Sequence, residues 1–303
     1  AMQAAGNLVM PYTNGHVWDN SLPSFAEAKS FAAMRRDGKL YEEQWGTPKR
    51  PFTAMCPATA FYQDFLSRYD AEFVRRYKLD AIYLDQVAAV EPNWCFDSKH
   101  GHPLGAGKYW IDGYRTLLAK LAEQSGGKVA ITSECAQEMF IDSLAGNLMW
   151  LPVGTEDVPL LPYVYSGYTI YFGSPASEQD SFDAFVAVQA RALVWGLQPG
   201  WSQLWLTNQQ HLAKAQYLGN LSKIRQQYHR YLTYGELTGE LEWREKPEIR
   251  PATLHYTGPS GSVRQIETPR ILSSIWIAED GSTGVFAVNT GDRWAKLDGA
   301  ALL

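Results

Sequence analysis

The chain has 303 residues, and its 27 basic and 32 acidic side chains give a formal net charge of −5 at pH 7. Hydrophobic residues make up 46% and charged residues 19%, which is typical of a folded globular protein and excludes a disordered one. No apolar run approaches the ~20 residues that a membrane-spanning helix needs. The mild negative charge argues against a nucleic-acid partner, because such a partner requires a basic protein face.

Aromatic residues are abundant, with 11 Trp, 17 Tyr and 12 Phe. Sugar rings present flat C–H faces on which aromatic rings stack while nearby polar groups bind the hydroxyls. The composition therefore favours a carbohydrate-binding protein. A large core that uses aromatic side chains as filler is the alternative, and composition alone leaves it open.

The three cysteines are Cys56, Cys95 and Cys135. None lies at the short spacing of a zinc or redox pair, so we expect three reduced and mostly buried thiols. Both termini look cut off, which suggests a piece of a longer protein. They therefore give no prediction of localisation.

Short apolar runs alternate with amphipathic stretches along most of the chain. Strands are predicted at 8–10, 81–85, 128–134, 148–151 and 163–172, with a strand and loop within 196–206. Helices are predicted at 24–37, 59–78, around 111–121, around 136–144, 182–197 and 212–234. In the helix at 59–78, aromatic residues recur every four positions, which predicts a single buried face.

This alternation predicts an α/β fold of the (β/α)8 TIM-barrel type over residues 1–234, with its first strands lying before this chain. An open doubly wound sheet is the rival fold, but the sequence has no Gly-rich phosphate loop of the kind that often accompanies it. From residue 235 the hydrophobic pattern changes to a period of two between Gly, Pro and Ser turns. We therefore predict a small antiparallel, β-sandwich-like domain over 235–303, itself cut short.

Two acids, Asp85 and Glu134, each close an apolar strand, and one helix separates these strands. Consecutive strands of a barrel are neighbours, so both carboxyl groups should face one cavity. Two carboxyl groups about 5 Å apart form the catalytic pair of a retaining glycosidase, with one as nucleophile and the other as acid/base. A helix-capping or ion-pair role for each acid is the alternative.

Other side chains near the predicted strand ends could bind a sugar by stacking or by hydrogen bonding. His100 and His102 form a His-x-His pair that could hold a metal in a barrel hydrolase, but no other histidine lies at ligand spacing. We therefore expect no metal and no cofactor, and assign both histidines to sugar hydroxyls. The predicted substrate-binding residues are Tyr12, Asn14, Trp18, Gln86, Trp94, His100, His102 and Trp150.

The segments Met55–Thr59, Tyr83–Gln86, Cys95–Gly105 and Thr132–Cys135 resemble a bacterial family of glycoside-hydrolase-like barrel proteins, a domain of unknown function. That family is distantly similar to endo-α-N-acetylgalactosaminidases and α-galactosidase-type enzymes, and the resemblance covers roughly residues 40–234. It implies a catalytic barrel flanked by β-sandwich domains. It also implies that Asp85 is the nucleophile and Glu134 the acid/base.

The sequence thus predicts a retaining glycoside hydrolase for an α-linked sugar of the galactose or N-acetylgalactosamine type. Its partner would be an oligosaccharide or glycoconjugate, with no nucleic acid and no membrane. Two other functions remain open at this point. One is a carbohydrate-binding barrel without catalysis, and the other is a metal-dependent hydrolase built on His100 and His102.

Overall fold

A computed structural model describes residues 2–150, 157–173, 176–255, 263–291 and 299–300. The chain divides into two compact units, Ala1–Asn147 and Leu148–Leu303. In the first unit the strands are β1 (Tyr12–Asn14), β2 (Val17–Asp19), β3 (Glu42–Trp45), β4 (Arg50–Ala54), β5 (Ala81–Asp85), β6 (Ala130–Glu134) and the start of β7 (Gly146–Met149). Its helices are α1 (Phe25–Ala28), α2 (Ala60–Tyr77) and α3 (Tyr109–Gln124).

A parallel sheet in the order β1-β5-β6 forms the frame of the first unit. In this sheet Asn14 pairs with Asp85, and Tyr83 pairs with Thr132. The alternate residues of β5, Ile82 and Leu84, are fully buried. Because successive side chains of a strand point to opposite faces, Tyr83 and Asp85 lie on the other face of the sheet.

Helices α2 and α3 cover the buried face of this sheet. Leu66 of α2 and Leu117, Leu118 and Leu121 of α3 join Ile82 and Leu84 in one hydrophobic cluster. The predicted aromatic row of α2 borders this face instead of forming its centre, since Tyr69 is 56% exposed. Gly113 permits the close approach of α3 to the loop before α2, because a Cβ there would lie 2.4 Å from the carbonyl oxygen of Pro57.

A three-stranded antiparallel sheet in the order β2-β4-β3 lies beside the parallel one in the first unit. It begins three residues after β1, so the chain reverses directly beyond Asn14. Gly15 is required in this turn, because a Cβ there would lie 2.4 Å from Val87 and 2.9 Å from Leu84.

The second unit combines helices with small sheets. Its strands are β8 (Ile170–Gly173), β9 (Gln198–Pro199), β10 (Glu236–Gly239), β11 (Glu242–Trp243), β12 (Ile249–His255), β13 (Val263–Pro269), β14 (Ile271–Ile277), β15 (Thr283–Asn289) and β16 (Gly299–Ala300). Its helices are α4 (Leu160–Tyr165), α5 (Phe182–Val194), α6 (Leu212–Gln227) and α7 (His229–Leu232). Strands β8 and β9 pair in parallel, whereas β10-β14-β15, β12-β13 and β11-β16 pair antiparallel.

The helices and the antiparallel strands of the second unit share hydrophobic clusters. Leu193 of α5 and Leu232 of α7 pack with Leu237 of β10 and Trp276 of β14. The α/β class and the antiparallel strands after residue 235 are thus confirmed. Closure of a barrel and a domain boundary at 234/235 remain predictions.

Four predicted elements differ from the structure. Helix 24–37 ends as a 3-10 turn at Phe31, because Ala32 and Met34 pair as extended chain with Met55 and Leu40. Around 136–144 there is a 3-10 turn at Glu138–Phe140 in place of a helix. The predicted buried strand 8–10 is also wrong, because Leu8 is 82% exposed and β1 begins only at Tyr12. The predicted strand 163–172 is wrong at its start, where α4 extends to Tyr165.

Among the described residues, no helix has the length and apolar character required to cross a bilayer.

Candidate active site

Three polar side chains end the parallel strands of the first unit in one row. Asn14 of β1 pairs with Asp85 of β5. Strands β5 and β6 pair as far as Tyr83 and Thr132, and Asp85 and Glu134 each follow two residues later, with the charges of both acids acting on Tyr12. Neighbouring strands lie about 4.8 Å apart, so the two acids are adjacent on the face that the helices leave uncovered. The structure thus brings together the two acids that the sequence singled out.

Tyr12 and Asn14 orient the carboxyl group of Asp85. The Tyr12 hydroxyl donates a hydrogen bond of 2.7 Å to Asp85 Oδ2, and Asn14 Nδ2 lies 3.5 Å from the same oxygen. Asn14 Nδ2 also donates to Gln86 Oε1 at 2.8 Å. The side-chain oxygen of Asn14, Oδ1, accepts hydrogen bonds from the backbone N–H groups of His16 and Val17, both at 2.9 Å. These bonds fix the orientation of the Asn14 side-chain amide.

Three protonated groups surround the two acids. Burial of the hydroxyl group raises the pKa of Tyr12 to about 12, although 60% of the residue as a whole is exposed. The hydrogen bond to Asp85 and the charges of Asp85 and Glu134 act in the same direction. Burial, followed by the same two charges, also raises the pKa of Tyr83. Burial raises the pKa of the Cys135 thiol to about 11, with Glu134 the next largest cause. All three groups are therefore hydrogen-bond donors at neutral pH.

The backbone turns sharply after each acid. Gln86, directly after Asp85, has φ 67°, and Cys135, directly after Glu134, has φ 56°. Non-glycine residues seldom adopt this left-handed conformation, which costs roughly 1–2 kcal/mol. Backbone strain of this kind clusters at functional sites, where it directs a side chain. The same turn at two neighbouring strand ends therefore supports a functional role for both acids.

A third carboxyl group, that of Glu43 in β3, reaches the edge of this site. Hydrogen bonds from His16, Trp45 and Gln86 lower its pKa, with the bond from His16 the largest cause. His16 is 1% exposed, and its Nδ1 lies 3.1 Å from the Tyr114 hydroxyl. The strand-end row is thus connected through Gln86 and Glu43 to the interior of the unit.

The arrangement can perform acid–base and nucleophilic chemistry. Asp85 accepts hydrogen bonds that hold its carboxylate in place. Glu134 lies beside it, at the end of the neighbouring strand β6. Polar side chains of Asn14, Gln86 and Glu43 offer donors and acceptors suited to sugar hydroxyls. Such paired carboxyl groups are the machinery of glycosidic bond cleavage.

The predicted aromatic binding residues have different positions. Trp18 lies in the hydrophobic core, 6% exposed, with its ring centroid 4.4 Å from that of Phe65, so its ring is not available to a sugar. Trp94 is 56% exposed in the loop after β5. Trp150 belongs to the second unit, where its ring meets Trp201 edge to face at 4.3 Å. Sugar binding by Trp94 and Trp150 stays a prediction.

The structure places His100 and His102 against two cysteines. His100 Nδ1 lies 3.4 Å from Cys95 Sγ, and His102 Nε2 lies 3.3 Å from Cys56 Sγ. The hydrogen bond from the Cys56 thiol lowers the pKa of Cys95, and the Cys95 thiolate in turn raises the pKa of Cys56.

Sequence reasoning missed Tyr83, Cys135 and Glu43. Tyr83 precedes Asp85 by two positions, so the alternation of a strand could have placed it on the same face. Cys135 follows Glu134 directly, and the same strand-end logic applies to it. Glu43 carries no such signal, because it comes from an antiparallel strand about 40 residues earlier in the chain.

Comparison with known proteins identifies the family. Residues 1–176 match the DUF6259 model, a domain of unknown function. A protein of Bacteroides thetaiotaomicron named "Putative glycoside hydrolase" is 30% identical over 252 residues, covering 79% of this chain. A Monosiga brevicollis protein similarly named as a glycoside hydrolase is 26% identical over 95% of this chain. The chain spans 37% and 27% of the length of these two relatives.

Solved structures share the fold. The α-N-acetylgalactosaminidase NagBb of Bifidobacterium bifidum superposes with a TM-score of 0.58 at 14% identity, over 93% of this chain and 42% of that one. A sulfoquinovosidase of E. rectale superposes with a TM-score of 0.56 at 12% identity, over 96% of this chain and 52% of that one. The family model matches more than half of the residues, and the chain therefore belongs to the DUF6259 family.

Proposed function

We propose that the chain carries the catalytic centre of a retaining glycoside hydrolase, with Asp85 as nucleophile and Glu134 as acid/base. The observation that carries this proposal is the row of strand ends, in which Asp85 and Glu134 each lie two residues beyond the paired residues Tyr83 and Thr132, and Tyr12 donates a hydrogen bond to Asp85. The relatives named as glycoside hydrolases support the same reaction class.

The proposed reaction has two steps. In the first, an Asp85 oxygen forms a bond to the anomeric carbon while the glycosidic C–O bond breaks, and Glu134 gives its proton to the departing oxygen. In the second, Glu134 takes a proton from water, whose oxygen bonds to the anomeric carbon and releases Asp85. This double displacement restores both carboxyl groups and retains the anomeric configuration.

The strand spacing supports retention over inversion. Retaining enzymes hold their two carboxyl groups about 5–5.5 Å apart, whereas inverting enzymes need roughly 6.5–9.5 Å to admit a water molecule. Adjacent parallel strands are about 4.8 Å apart, and each acid lies two residues beyond the paired residues Tyr83 and Thr132. The spacing therefore matches the shorter requirement.

The proposed substrate is an α-linked sugar of the galactose or N-acetylgalactosamine type, bound at the strand ends of a (β/α)8 barrel. NagBb, named as an α-N-acetylgalactosaminidase, shares the fold over most of this chain, which supports this choice. Asn14 and Gln86 would bind ring hydroxyls, and the exposed ring of Trp94 would stack on a sugar face.

The roles of the two acids are tested by leaving-group kinetics on the full-length protein. Glu134→Gln should lose most activity on glycosides with poor leaving groups and much less on activated aryl glycosides, which need no proton. Asp85→Asn should lose activity on both classes, because the nucleophile serves every substrate. Glu123→Gln and Asp37→Asn, at exposed positions of the same unit, are the matched controls.

Equal loss on both substrate classes in Glu134→Gln would contradict its acid role. Full activity in Asp85→Asn would contradict the proposed nucleophile. A folded protein that binds α-galactosides but turns over none of them, nor any other glycoside in an α and β panel, would favour a carbohydrate-binding barrel instead.

A further inference from the structure

Four side chains of the first unit converge in a cluster that includes neither of the strand-end acids. The ligand atoms of Cys56, Cys95, His100 and His102 all lie within 4.8 Å of one another. Both cysteines are buried, and both histidines are partly buried. Cys56 follows β4, whereas the other three lie in the loop between β5 and α3, so the cluster joins two segments that are distant along the chain.

The histidine rings are turned so that one nitrogen of each faces the sulfurs. His100 Nε2 donates to the carbonyl oxygen of Ser30 at 3.0 Å, which leaves the Nδ1 lone pair toward Cys95. His102 Nδ1 donates to the carbonyl oxygen of Pro103 at 2.8 Å, which leaves Nε2 toward Cys56. A carbonyl acceptor on the far nitrogen is the usual outer contact of a metal-binding histidine, since it fixes tautomer and orientation.

The loop that carries three of the four side chains is closed and braced. Cys95 and Gly105 pair as an antiparallel bridge, and the Gly105 N–H donates to the Cys95 carbonyl at 2.7 Å. The Tyr109 hydroxyl accepts the Cys95 N–H at 3.0 Å and donates to the Gly105 carbonyl at 2.5 Å. The ring of His102 stacks on Tyr109, with centroids 3.8 Å apart.

The Cys95 sulfur also receives a backbone hydrogen bond. The Met34 N–H lies 3.5 Å from Cys95 Sγ. Asp97 caps the 3-10 turn Ser98–His100, and its Oδ1 accepts a hydrogen bond from the Lys99 N–H at 2.9 Å. The side chains are thus held in place by the backbone of three segments, which is how a preformed ligand set is built.

We propose that Cys56, Cys95, His100 and His102 form a structural zinc site. Two thiolates and two imidazoles are a common ligand set of tetrahedral zinc. With Zn–S of about 2.3 Å and Zn–N of about 2.0–2.1 Å, tetrahedral geometry places S and N ligands roughly 3.6 Å apart. The two S···N distances of 3.3 and 3.4 Å are close to that value.

Four protein ligands complete a tetrahedral shell, and this closed shell makes the site structural, since catalytic zinc keeps one position open for water or substrate. In this proposal the two histidines bind zinc instead of the sugar hydroxyls that the sequence predicted for them. A bound zinc would fasten the loop that follows Asp85 to the segment before α2. The cluster contains neither of the proposed catalytic acids, and zinc binding can be measured without a glycosidase assay.

The first experiment is metal analysis of the full-length protein, purified under reducing conditions without chelator. We expect about one zinc per chain in the wild type and in Cys135→Ser, whose cysteine lies outside the cluster. Cys95→Ser and His102→Ala should each lose most of the bound zinc. Zinc retained at the wild-type level in both variants would overturn the proposal.

A second experiment serves if those variants fail to fold. The wild-type protein is prepared with cobalt in place of zinc, and we expect the thiolate charge-transfer band and the intense d–d bands of a tetrahedral site with sulfur ligands. Chelator should remove the metal and lower the thermal midpoint. A metal-free wild-type protein with unchanged stability, or a Cys56–Cys95 disulfide found by mass spectrometry in the native protein, would overturn the proposal.

Discussion

The hydroxyl of Tyr12 donates a hydrogen bond of 2.7 Å to Oδ2 of Asp85, the proposed nucleophile. Because the pKa of Tyr12 is raised to about 12, this hydroxyl keeps its proton across the ordinary pH range. It can therefore hold the carboxylate in one orientation without itself introducing a pH dependence. Tyr83, whose ring stacks on Tyr12 at 5.8 Å, fixes the direction of that donor.

Tyr12→Phe should lower kcat by roughly 10- to 100-fold, because a hydrogen bond to a charged group contributes about 1.5–3 kcal/mol. Thermal stability should change little, since Tyr12 is 60% exposed. Steady-state kinetics on an activated aryl glycoside measure the effect, with Tyr69→Phe on the exposed side of α2 as the control. Unchanged kcat in Tyr12→Phe would show that Asp85 does not depend on this contact.

The turns that follow β5 and β6 are built alike, with Gln86 and Cys135 in the left-handed conformation. A β-branched residue suits this conformation poorly, whereas glycine adopts it freely. Cys135→Val should therefore be destabilised by about 1–2 kcal/mol relative to Cys135→Gly. Urea unfolding of both variants measures this, and equal midpoints would mean that the turn relaxes in solution.

A buried carboxyl group couples α2 to β1. Asp70 is fully buried, and the Thr13 hydroxyl donates to its Oδ2 at 3.4 Å. Burial raises the pKa of Asp70 from 3.8 to about 7. Between these two pH values the folded state holds a proton that the unfolded state has lost, so the free energy of unfolding falls as pH rises from about 4 to about 7 and is level above that range.

Asp70→Asn should remove this dependence, because asparagine is isosteric with the protonated acid and carries no charge. The variant should gain stability over wild type as pH rises, on the order of a few kcal/mol by pH 8, since one unit of pKa corresponds to about 1.4 kcal/mol. Urea unfolding at pH 4.5 and pH 8 measures it, with Glu72→Gln on the exposed side of α2 as the control. Parallel stability curves for wild type and Asp70→Asn would contradict the assigned pKa.

Elements with a strong period were predictable, and those decided by distant contacts were not. Helices α2, α3 and α5 and strands β5 and β6 follow from hydrophobic spacing over their whole length. The segment 32–37 has helical spacing too, but Ala32 and Met34 pair with Met55 and Leu40 as extended chain. Likewise α4 begins directly after Pro159, before the predicted strand 163–172, and continues through its first three residues.

The residues of the candidate sites likewise fall into those that the sequence could predict and those that it could not. Asp85, Glu134, Asn14, Tyr12 and Gln86 could be grouped because parallel strands end at one edge, which is a local signal. The cysteine–histidine cluster could not, because its Cys56 lies far along the chain from the loop that holds the other three ligands. Spacing rules for metal sites capture ligands from one short segment and miss a set assembled by the fold.

At the scale of the whole molecule, the question is whether the helices and the antiparallel strands of the second unit stabilise each other. Trp276 of β14 is 1% exposed, and its indole N–H donates to the Val194 carbonyl of α5 at 3.3 Å. Gly196 completes this contact, because a Cβ there would lie 2.5 Å from the Trp276 ring.

Trp276→Ala should lower stability by about 3–5 kcal/mol, as expected for loss of a buried tryptophan. We expect hydrogen exchange to rise in α5 and in β14 together, since one cluster holds both. Hydrogen exchange mass spectrometry measures this, with Val285→Ala at an exposed position of β15 as the control. Faster exchange confined to residues after 234 would favour an independent β domain with the boundary predicted from the sequence.

In the proposed reaction, Asp85 forms a covalent bond to the sugar. The most direct test incubates full-length Glu134→Gln with an activated α-galactosyl or α-N-acetylgalactosaminyl substrate, quenches the mixture and maps peptides by mass spectrometry. We predict one glycosyl group on the peptide that contains Asp85. This group should be absent from the double variant that carries both Glu134→Gln and Asp85→Asn. A glycosyl group on another carboxylate, or turnover with inverted configuration and no adduct, would contradict the account.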